Sequence, residues 1–448
     1  MRHRLGRALM REFGVAEASL LLAGAFLLSA MLGAVRQVLL NARFGTGDEA
    51  SAYYAAVRLP ETLFTLVAGG ALWNALIPVL VGTRRDNGEA AARRLADVVL
   101  TACLVVSFAI VVVGELGAPA FVAAILAPGF DAPTTELTVR LTRILLLQPL
   151  LLTAGSVAVA VLNARNRFLL PALALSVHNL AEIAGIGAAW LLPSVGIYGP
   201  ACGVVVGAAL QALVPFAALR RREWRPHLTW APRDPGLRAV ARLLVPNGLS
   251  LGVGYAGGVV DTSFASRAPE RGALPALANA WLLASLPVRL LGVAAAQAVF
   301  PRLAAGAAVG AWGWFRRTTV RTTLAAVVLA IPAAVGLVLL ADPTVTILFV
   351  HGAFDAAAGS LTARLVVIYA IGLPVYAATE VLTRALIALH DTRTPLVTNL
   401  IQLGLRIVMT SVLLGRLGVE AIPVAHAASS AVEAAVLAVI LWRRVRRR

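Results

Sequence analysis

Nine arginines fall within or at the edges of long apolar runs: Arg36, Arg58, Arg140, Arg143, Arg242, Arg289, Arg364, Arg384 and Arg406. A guanidinium stays charged, and a charge at the centre of a bilayer costs at least about 2.5–3.5 kcal/mol on insertion scales. The deep ones must therefore face protein or water. Arg140, Arg143, Arg242 and Arg364 lie near helix starts, where a long side chain snorkels to the interface. Arg384 follows Glu380 by four residues and is expected to pair with it. Arg36, Arg289 and Arg406 lie deeper, and Arg58 joins them as a candidate. A planar, five-donor fork suits a bidentate anion such as a phosphate, so these four are the candidate substrate-binding residues for an anionic headgroup in a water-filled cavity. The alternative is buried pairing of Arg36, Arg289 and Arg406 with carboxylates such as Asp261, Glu61 or Glu182.

His178 and Glu182 share one face of a single apolar run, with Asn179 beside them. A histidine–carboxylate pair inside a membrane can carry a coupled proton, and it can equally be a neutral structural pair. His178, Glu182 and Asp261 are the candidate coupling groups. No catalytic residue and no metal site is indicated, because the histidines form no HExxH or comparable cluster. Cys103 and Cys202 read as small buried hydrophobes. Two soluble-enzyme motifs occur, Gly248 to Gly252 and Gly252 to Gly257, but they overlap within one apolar run and follow no strand. Their glycines, like Gly203 and Gly207, are expected to serve close helix packing.

The elements that carry these residues follow from composition. Of 448 residues 59% are apolar and 14% charged, which is too much apolar surface for a water-soluble protein to hide. All 39 basic residues are arginine, and without a lysine amine the chain has no P-loop, Schiff-base or protein-kinase chemistry. Direct ATP-driven transport by this chain is not expected, on the same ground. A bilayer-crossing helix needs about 20 apolar residues, and twelve such runs are expected: 15–42, 53–82, 95–126, 138–162, 168–193, 196–219, 237–265, 273–301, 319–341, 362–389, 395–415 and 418–442. With the amino terminus inside, the inner segments hold 26 arginines and the outer ones four, namely Arg43, Arg267, Arg271 and Arg416. That asymmetry places both termini in the cytoplasm. Trp224, Trp230, Trp312, Trp314 and Trp442 stand beside inner arginines as expected interfacial anchors. The charge of +17 thus marks topology, and no nucleic acid is needed to explain it.

The polar stretch from Arg220 to Arg238 divides the runs into two groups of six. An amino-terminal lobe (1–219), a cytoplasmic inter-lobe linker (220–238) and a carboxy-terminal lobe (239–448) follow. The halves repeat: Gly129-Phe130-Asp131 with Glu136 to Leu141 recurs as Ala353-Phe354-Asp355 with Ser360 to Leu365, offset by 224. The second apolar run of each half is expected to close at a proline, Pro78 and Pro301. Six spans per half put both lobes the same way round, related by a pseudo-twofold along the membrane normal. Such two-lobed all-α bundles carry substrate in the cleft between lobes, with rocking of one lobe against the other giving alternating access.

Six segments carry a family resemblance: Leu27 to Gly45, Tyr53 to Leu80, Val161 to Leu173, Leu286 to Leu303, His351 to Ala363 and Ala388 to Leu400. The chain resembles the MurJ/MviN lipid II flippases of the multidrug/oligosaccharidyl-lipid/polysaccharide exporter superfamily. The resemblance implies a multi-pass protein of the bacterial inner membrane and not an enzyme. Its activity would be moving polyprenyl-diphosphate-linked peptidoglycan precursor, or a related lipid-linked saccharide, from the inner to the outer leaflet through a cationic cleft. Its partners would be that lipid-linked saccharide diphosphate, the membrane and envelope-synthesis proteins. No cofactor is implied beyond a coupling ion or the membrane potential. The family's helix-one arginine after a serine matches Ala30 here, next to Ser29; its second is retained as Arg36. The family's helix-two and helix-eight arginines match Phe64 and Leu282. The family commonly has fourteen helices against the twelve expected here. Two other readings are a small-molecule or drug antiporter of the same superfamily and a transport-inactive paralogue that scaffolds envelope synthesis.

Overall fold

The computed structural model describes residues 15–67, 71–219 and 224–446. Arg2, Arg4, Arg7, Arg11, the triplet Arg220 to Arg222 and the last two arginines, all counted in the topology argument, lie outside the described residues. The described residues fold into helices and contain no strand. In chain order the helices are α1 Val15–Phe44, α2 Asp48–Val67, α3 Ala71–Phe121, α4 Ala132–Leu145, α5 Leu147–Asn163, α6 Leu169–Leu191, α7 Tyr198–Ala218, α8 Pro235–Ala265, α9 Ala273–Pro287, α10 Ala294–Ala308, α11 Trp312–Leu339, α12 Ala341–Phe349, α13 Ala356–Ala388, α14 Arg393–Leu417 and α15 Ala421–Arg446.

Nine stretches of the described residues are long and apolar enough to cross a bilayer, where twelve were expected. The difference has two physical sources. Ala75–Leu126 and Arg393–Arg446 run to 52 and 54 residues, each far beyond the about 20 that one crossing needs. The first contains the break at Gly88 (φ 85°, ψ 175°) and the second contains both α14 and α15. Helix α2 is absent from the nine, since Asp48, Glu49, Arg58 and Glu61 make it too polar, and α8, which carries the expected run 237–265, is not among them either. Neither Pro78 nor Pro301 closes its helix: both lie inside, in α3 and α10. The hydrogen bond a proline removes can be re-satisfied by neighbouring groups in a membrane helix, so the helix continues through it.

Two compact units emerge. The first comprises Met1–Phe44, Ala52–Leu126 and Asp131–Val259; the second comprises Gly45–Ser51, Ala127–Phe130 and Val260–Arg448. In the first, Leu72, Leu76 and Val99 of α3 pack with Val157 and Leu162 of α5 and with Trp224. Trp224 is therefore a core residue, 2% exposed, and not an interfacial anchor. Its indole donates to Asp97 Oδ1 at 2.8 Å, the same oxygen that accepts the His227 amide at 2.9 Å. Trp230 and Trp442 do remain exposed. In the second unit Leu303, Phe315, Leu386 and Leu437 form one cluster, and Ala296, Ala330, Tyr376 and Val381 a second.

Lipid tails are as apolar as leucine, so close packing rather than burial from water holds these helices together. Helices α6 and α7 meet through glycine. A methyl group on Gly203 would lie 2.9 Å from the Glu182 Cα, and one on Gly207 would lie 2.8 Å from the His178 carbonyl oxygen. Gly248 and Gly252 of α8 likewise sit against Leu66 of α2, whereas Gly254 of the second enzyme-like motif has nothing within 4 Å of a new methyl group, against the packing role expected for it. Because lipid can cover an apolar side chain as well as protein can, an apolar run does not distinguish core from lipid face. Cys103 is buried as expected, while Cys202 is exposed.

The repeat is structural. Asp131 caps α4 by accepting from the Thr134 amide at 3.2 Å, and Asp355 caps α13 by accepting from the Ala358 amide at 2.8 Å. One turn on, the Thr138 hydroxyl donates to the Thr134 carbonyl at 2.7 Å and Thr362 to Ala358 at 2.8 Å. Arg140 then pairs back to Glu136 and Arg364 to Ser360.

Candidate functional site

Each unit builds an intramembrane ion pair from its first and fifth apolar runs. In the first unit Arg36 of α1 donates through NH1 to Glu182 Oε2 of α6 at 2.9 Å and to Asn179 Oδ1 at 3.3 Å. Glu182 is 4% exposed along its side chain, and its other oxygen accepts the Tyr53 hydroxyl at 2.6 Å. Asn179 in turn donates to Ser29 Oγ at 3.1 Å. The carboxylate thus has partners on both oxygens, the condition under which a buried charge is tolerated. Arg36 keeps 30% of its side chain exposed and uses only NH1 in these bonds, out of five N–H donors.

In the second unit Arg406 of α14 pairs with Asp261 of α8, their side chains 7% and 16% exposed. Arg406 itself is buried. Arg58 pairs within α2 to Glu61 at 3.4 Å, both partly exposed. Arg289 differs from these three. It stands exposed on a π-turn, Val288–Val293, inside the apolar stretch Ala273–Ala308, and has no carboxylate in ion-pair range among the described residues.

Of the residues singled out from sequence, the structure thus brings together Arg36 with Glu182, and Arg406 with Asp261. The buried-pairing alternative holds for both arginines, with the carboxylates named for it. His178 and Glu182 do share a helix face, but Glu182 takes Arg36 and Tyr53, and no hydrogen bond joins it to His178. Arg384 and Glu380 do not come within ion-pair distance, so the expected helix pair is not made. Arg140, Arg143 and Arg364 are exposed near helix ends and pair with Glu136, Glu115 and Glu420. Sequence reasoning missed Tyr53, a phenol in an apolar run that supplies the second bond to Glu182. It also missed a ring cluster in the second unit formed by Trp281, Tyr369, Tyr376 and His426. Nothing in local spacing marks either group, because their partners come from other helices.

The three family arginine positions that differ here are apolar in effect. Ala30 is exposed, Leu282 is half-buried, and Phe64 lines a cavity of about 300 Å³ in the first unit together with Phe26, Trp73 and Phe168.

The family model for the lipid II flippase MurJ matches residues 40–448. A probable lipid II flippase MurJ of Bdellovibrio bacteriovorus is 29% identical over 428 residues, covering 94% of this chain and 81% of that protein. The lipid II flippase MurJ of Burkholderia cenocepacia is 31% identical over 395 residues, covering 84% and 74%. Among solved structures, lipid II flippase MurJ in an inward closed conformation superposes with a TM-score of 0.80 at 21% identity, covering 94% of this chain and 87% of that one. An inward-facing MATE multidrug transporter of the MOP superfamily gives 0.81 at 14% identity, covering 93% and 95%. These superpositions bear on the fold, and the family model bears on kinship: the chain belongs to the lipid II flippase MurJ family.

Proposed function

We propose that this protein moves lipid II, or a closely related polyprenyl-diphosphate saccharide, from the inner to the outer leaflet of the bacterial cytoplasmic membrane. The observation that carries this reading is the family match from residue 40 to the carboxy terminus. The arrangement of charge supports it. Arg289 is exposed on a membrane helix with no carboxylate in ion-pair range among the described residues, and Arg36, its side chain 30% exposed, is fixed at one nitrogen. Such groups fit a diphosphate, which takes two parallel N–H bonds from one guanidinium. Arg58 and Arg406 become available to an anion only if they leave Glu61 and Asp261. Two six-helix lobes with the linker at 220–238, both termini cytoplasmic, and alternating access driven by an ion gradient or the membrane potential complete the reading. The reaction is translocation, with no covalent step.

The rival antiporter of cationic drugs needs uncommitted intramembrane carboxylates. Glu61, Glu182 and Asp261 each hold an arginine, and the family match is to a lipid II flippase, not a drug antiporter. A transport-inactive scaffold for envelope-synthesis proteins is separated by experiment. The resident lipid II flippase of a bacterium is depleted, this chain is expressed, and growth and outer-leaflet lipid II are measured. Rescue that is lost in Arg289→Ala supports the proposal. A correctly inserted protein that neither rescues growth nor moves lipid-linked sugar in liposomes overturns it.

A further inference from the structure

His426 of α15 lies inside a box of three aromatic rings in the second unit. Its ring centroid is 5.0 Å from Tyr376, 5.2 Å from Trp281 and 6.0 Å from Tyr369. Trp281 comes from α9 and both tyrosines from α13, and Trp281 also touches Tyr369 at 5.2 Å and Tyr376 at 6.2 Å. The charged and titratable groups facing this box are Arg406 on α14, its partner Asp261 on α8, and the two tyrosines. Three polar atoms in this one region are buried without a hydrogen-bond partner: His426 Nδ1, Tyr376 Oη and Arg406 Nε.

Each unsatisfied buried polar group is costly, and in this one region an imidazole nitrogen, a phenol oxygen and a guanidinium nitrogen all go unpartnered. Trp281 and Tyr376 lie tilted at 32° and 45° to the imidazole and Tyr369 stands perpendicular at 89°, and aromatic faces can hold a cation. An ionisable side chain in a membrane helix, next to a buried ion pair, is a site of function by default.

We propose that His426 is the proton-carrying group that couples transport in this protein, neutral in the conformation seen here and an imidazolium in the alternate one. In the protonation step the lone pair on the unprotonated ring nitrogen forms an N–H bond while an O–H bond of hydronium breaks, leaving water. The imidazolium then has two N–H donors and no acceptor. It places a second positive charge beside Arg406, so that two cations compete for the one carboxylate of Asp261. Arg406 is released from its partner and becomes available to an anion; return of the proton to water re-forms the Arg406–Asp261 pair. His426 therefore acts through Arg406 and is a positioning residue. The coupling half of the proposal rests on the flippase reading, whereas the protonation half does not.

The test uses the purified full-length protein in nanodiscs, titrated between pH 8 and pH 5. An imidazolium stacked on an indole quenches its emission, so tryptophan fluorescence is expected to fall as the pH drops. The titrating part should vanish in Trp281→Phe and in His426→Gln. Nitrogen-15 NMR of histidine-labelled wild-type protein reads the imidazole directly, which keeps the proposal falsifiable if a variant does not fold. Absence of a titrating His426 in the wild type over this range overturns the proposal, as does a fluorescence titration that survives His426→Gln. In proteoliposomes, flipping of lipid II is expected to change severalfold with an imposed pH gradient in the wild type and not at all in His426→Gln. Flipping that ignores the gradient although His426 titrates overturns the coupling. A titrating His426 in a protein that moves no lipid II overturns the flippase reading instead.

Discussion

Arg406 stands 224 residues after Glu182, the offset of the internal repeat, and each is held by an opposite charge from the first helix of its own half, Asp261 and Arg36 respectively. The two halves therefore keep the same ion pair with its polarity reversed. The pairing recurs between the halves while its sign does not, as a requirement for neutrality inside a membrane would produce. Removing one partner strands the other. Asp261→Asn is expected to destabilise the protein by about 3–5 kcal/mol, read as a fall in thermal unfolding temperature in detergent. The exchanged double variant, Asp261→Arg with Arg406→Asp, should recover most of the loss. If it is no better than the single variant, the pair is not what holds the two helices.

Arg289 should tolerate neither loss of charge nor loss of its fork. A lysine keeps the charge but not the bidentate geometry, so Arg289→Lys is expected to lower lipid II flipping in liposomes by about tenfold, the equivalent of one charge-assisted hydrogen bond. Arg289→Ala should lower it further. Wild-type flipping by the lysine variant would remove the diphosphate from Arg289.

Glycines separate cleanly by what surrounds them. Gly203→Leu drives a side chain into the α6 backbone at Glu182 and should abolish folding or cost several kcal/mol, whereas Gly404 on α14 has nothing within 4 Å of a new methyl group. Gly404→Ala is expected to stabilise by about 0.5–1 kcal/mol through helix propensity. Thermal unfolding of the two variants side by side checks both signs.

Asp391, in the α13–α14 turn, supplies a pH dependence. Burial alone would raise its carboxyl, but hydrogen bonding by Thr394 and the Arg444 guanidinium outweigh that and hold it below its ordinary value. The Thr394 amide donates to Oδ1 at 3.0 Å, and Arg444 lies 2.6 Å from Oδ2. A depressed folded-state value contributes stability that is complete above the ordinary aspartate pKa of about 4 and is lost as the pH falls through the lowered folded value. Acid unfolding of the wild type should show this loss. Asp391→Asn should be less stable at neutral pH and flatter in the acid range, so an unchanged acid profile counts against the pairing.

Asp97 pins the segment after the Arg220 to Arg222 triplet by accepting from both Trp224 and His227, while Thr229 donates its amide to Thr101 Oγ1 at 2.8 Å. Hydrogen bonds to a charged acceptor contribute about 1.5–3 kcal/mol each. Asp97→Ala should therefore release the segment, seen as faster tryptic cleavage at Arg233 and a red shift of Trp224 emission. Unaltered cleavage would mean that the buried indole alone holds it.

The sequence by itself determined the class of protein and the repeat. Hydrophobic run length is dictated by bilayer thickness, and Asp131 and Asp355 cap their helices through amides only three residues away, so both are legible locally. Glycine is less legible, since Gly203 packs against α6 and Gly404 faces open space with the same residue type. Tertiary structure decided the partners. Whether Arg36 faced water or Glu182, whether Trp224 sat at an interface or in a core, and whether Cys202 faced lipid or protein depend on which helices lie side by side. A membrane hides that choice, because lipid and protein interior are equally apolar and leave the same pattern in the chain. The roles of Tyr53 and His426 were invisible for a related reason: each gains its meaning from atoms more than 40 residues away in sequence, Glu182 for one and Trp281, Tyr369 and Tyr376 for the other.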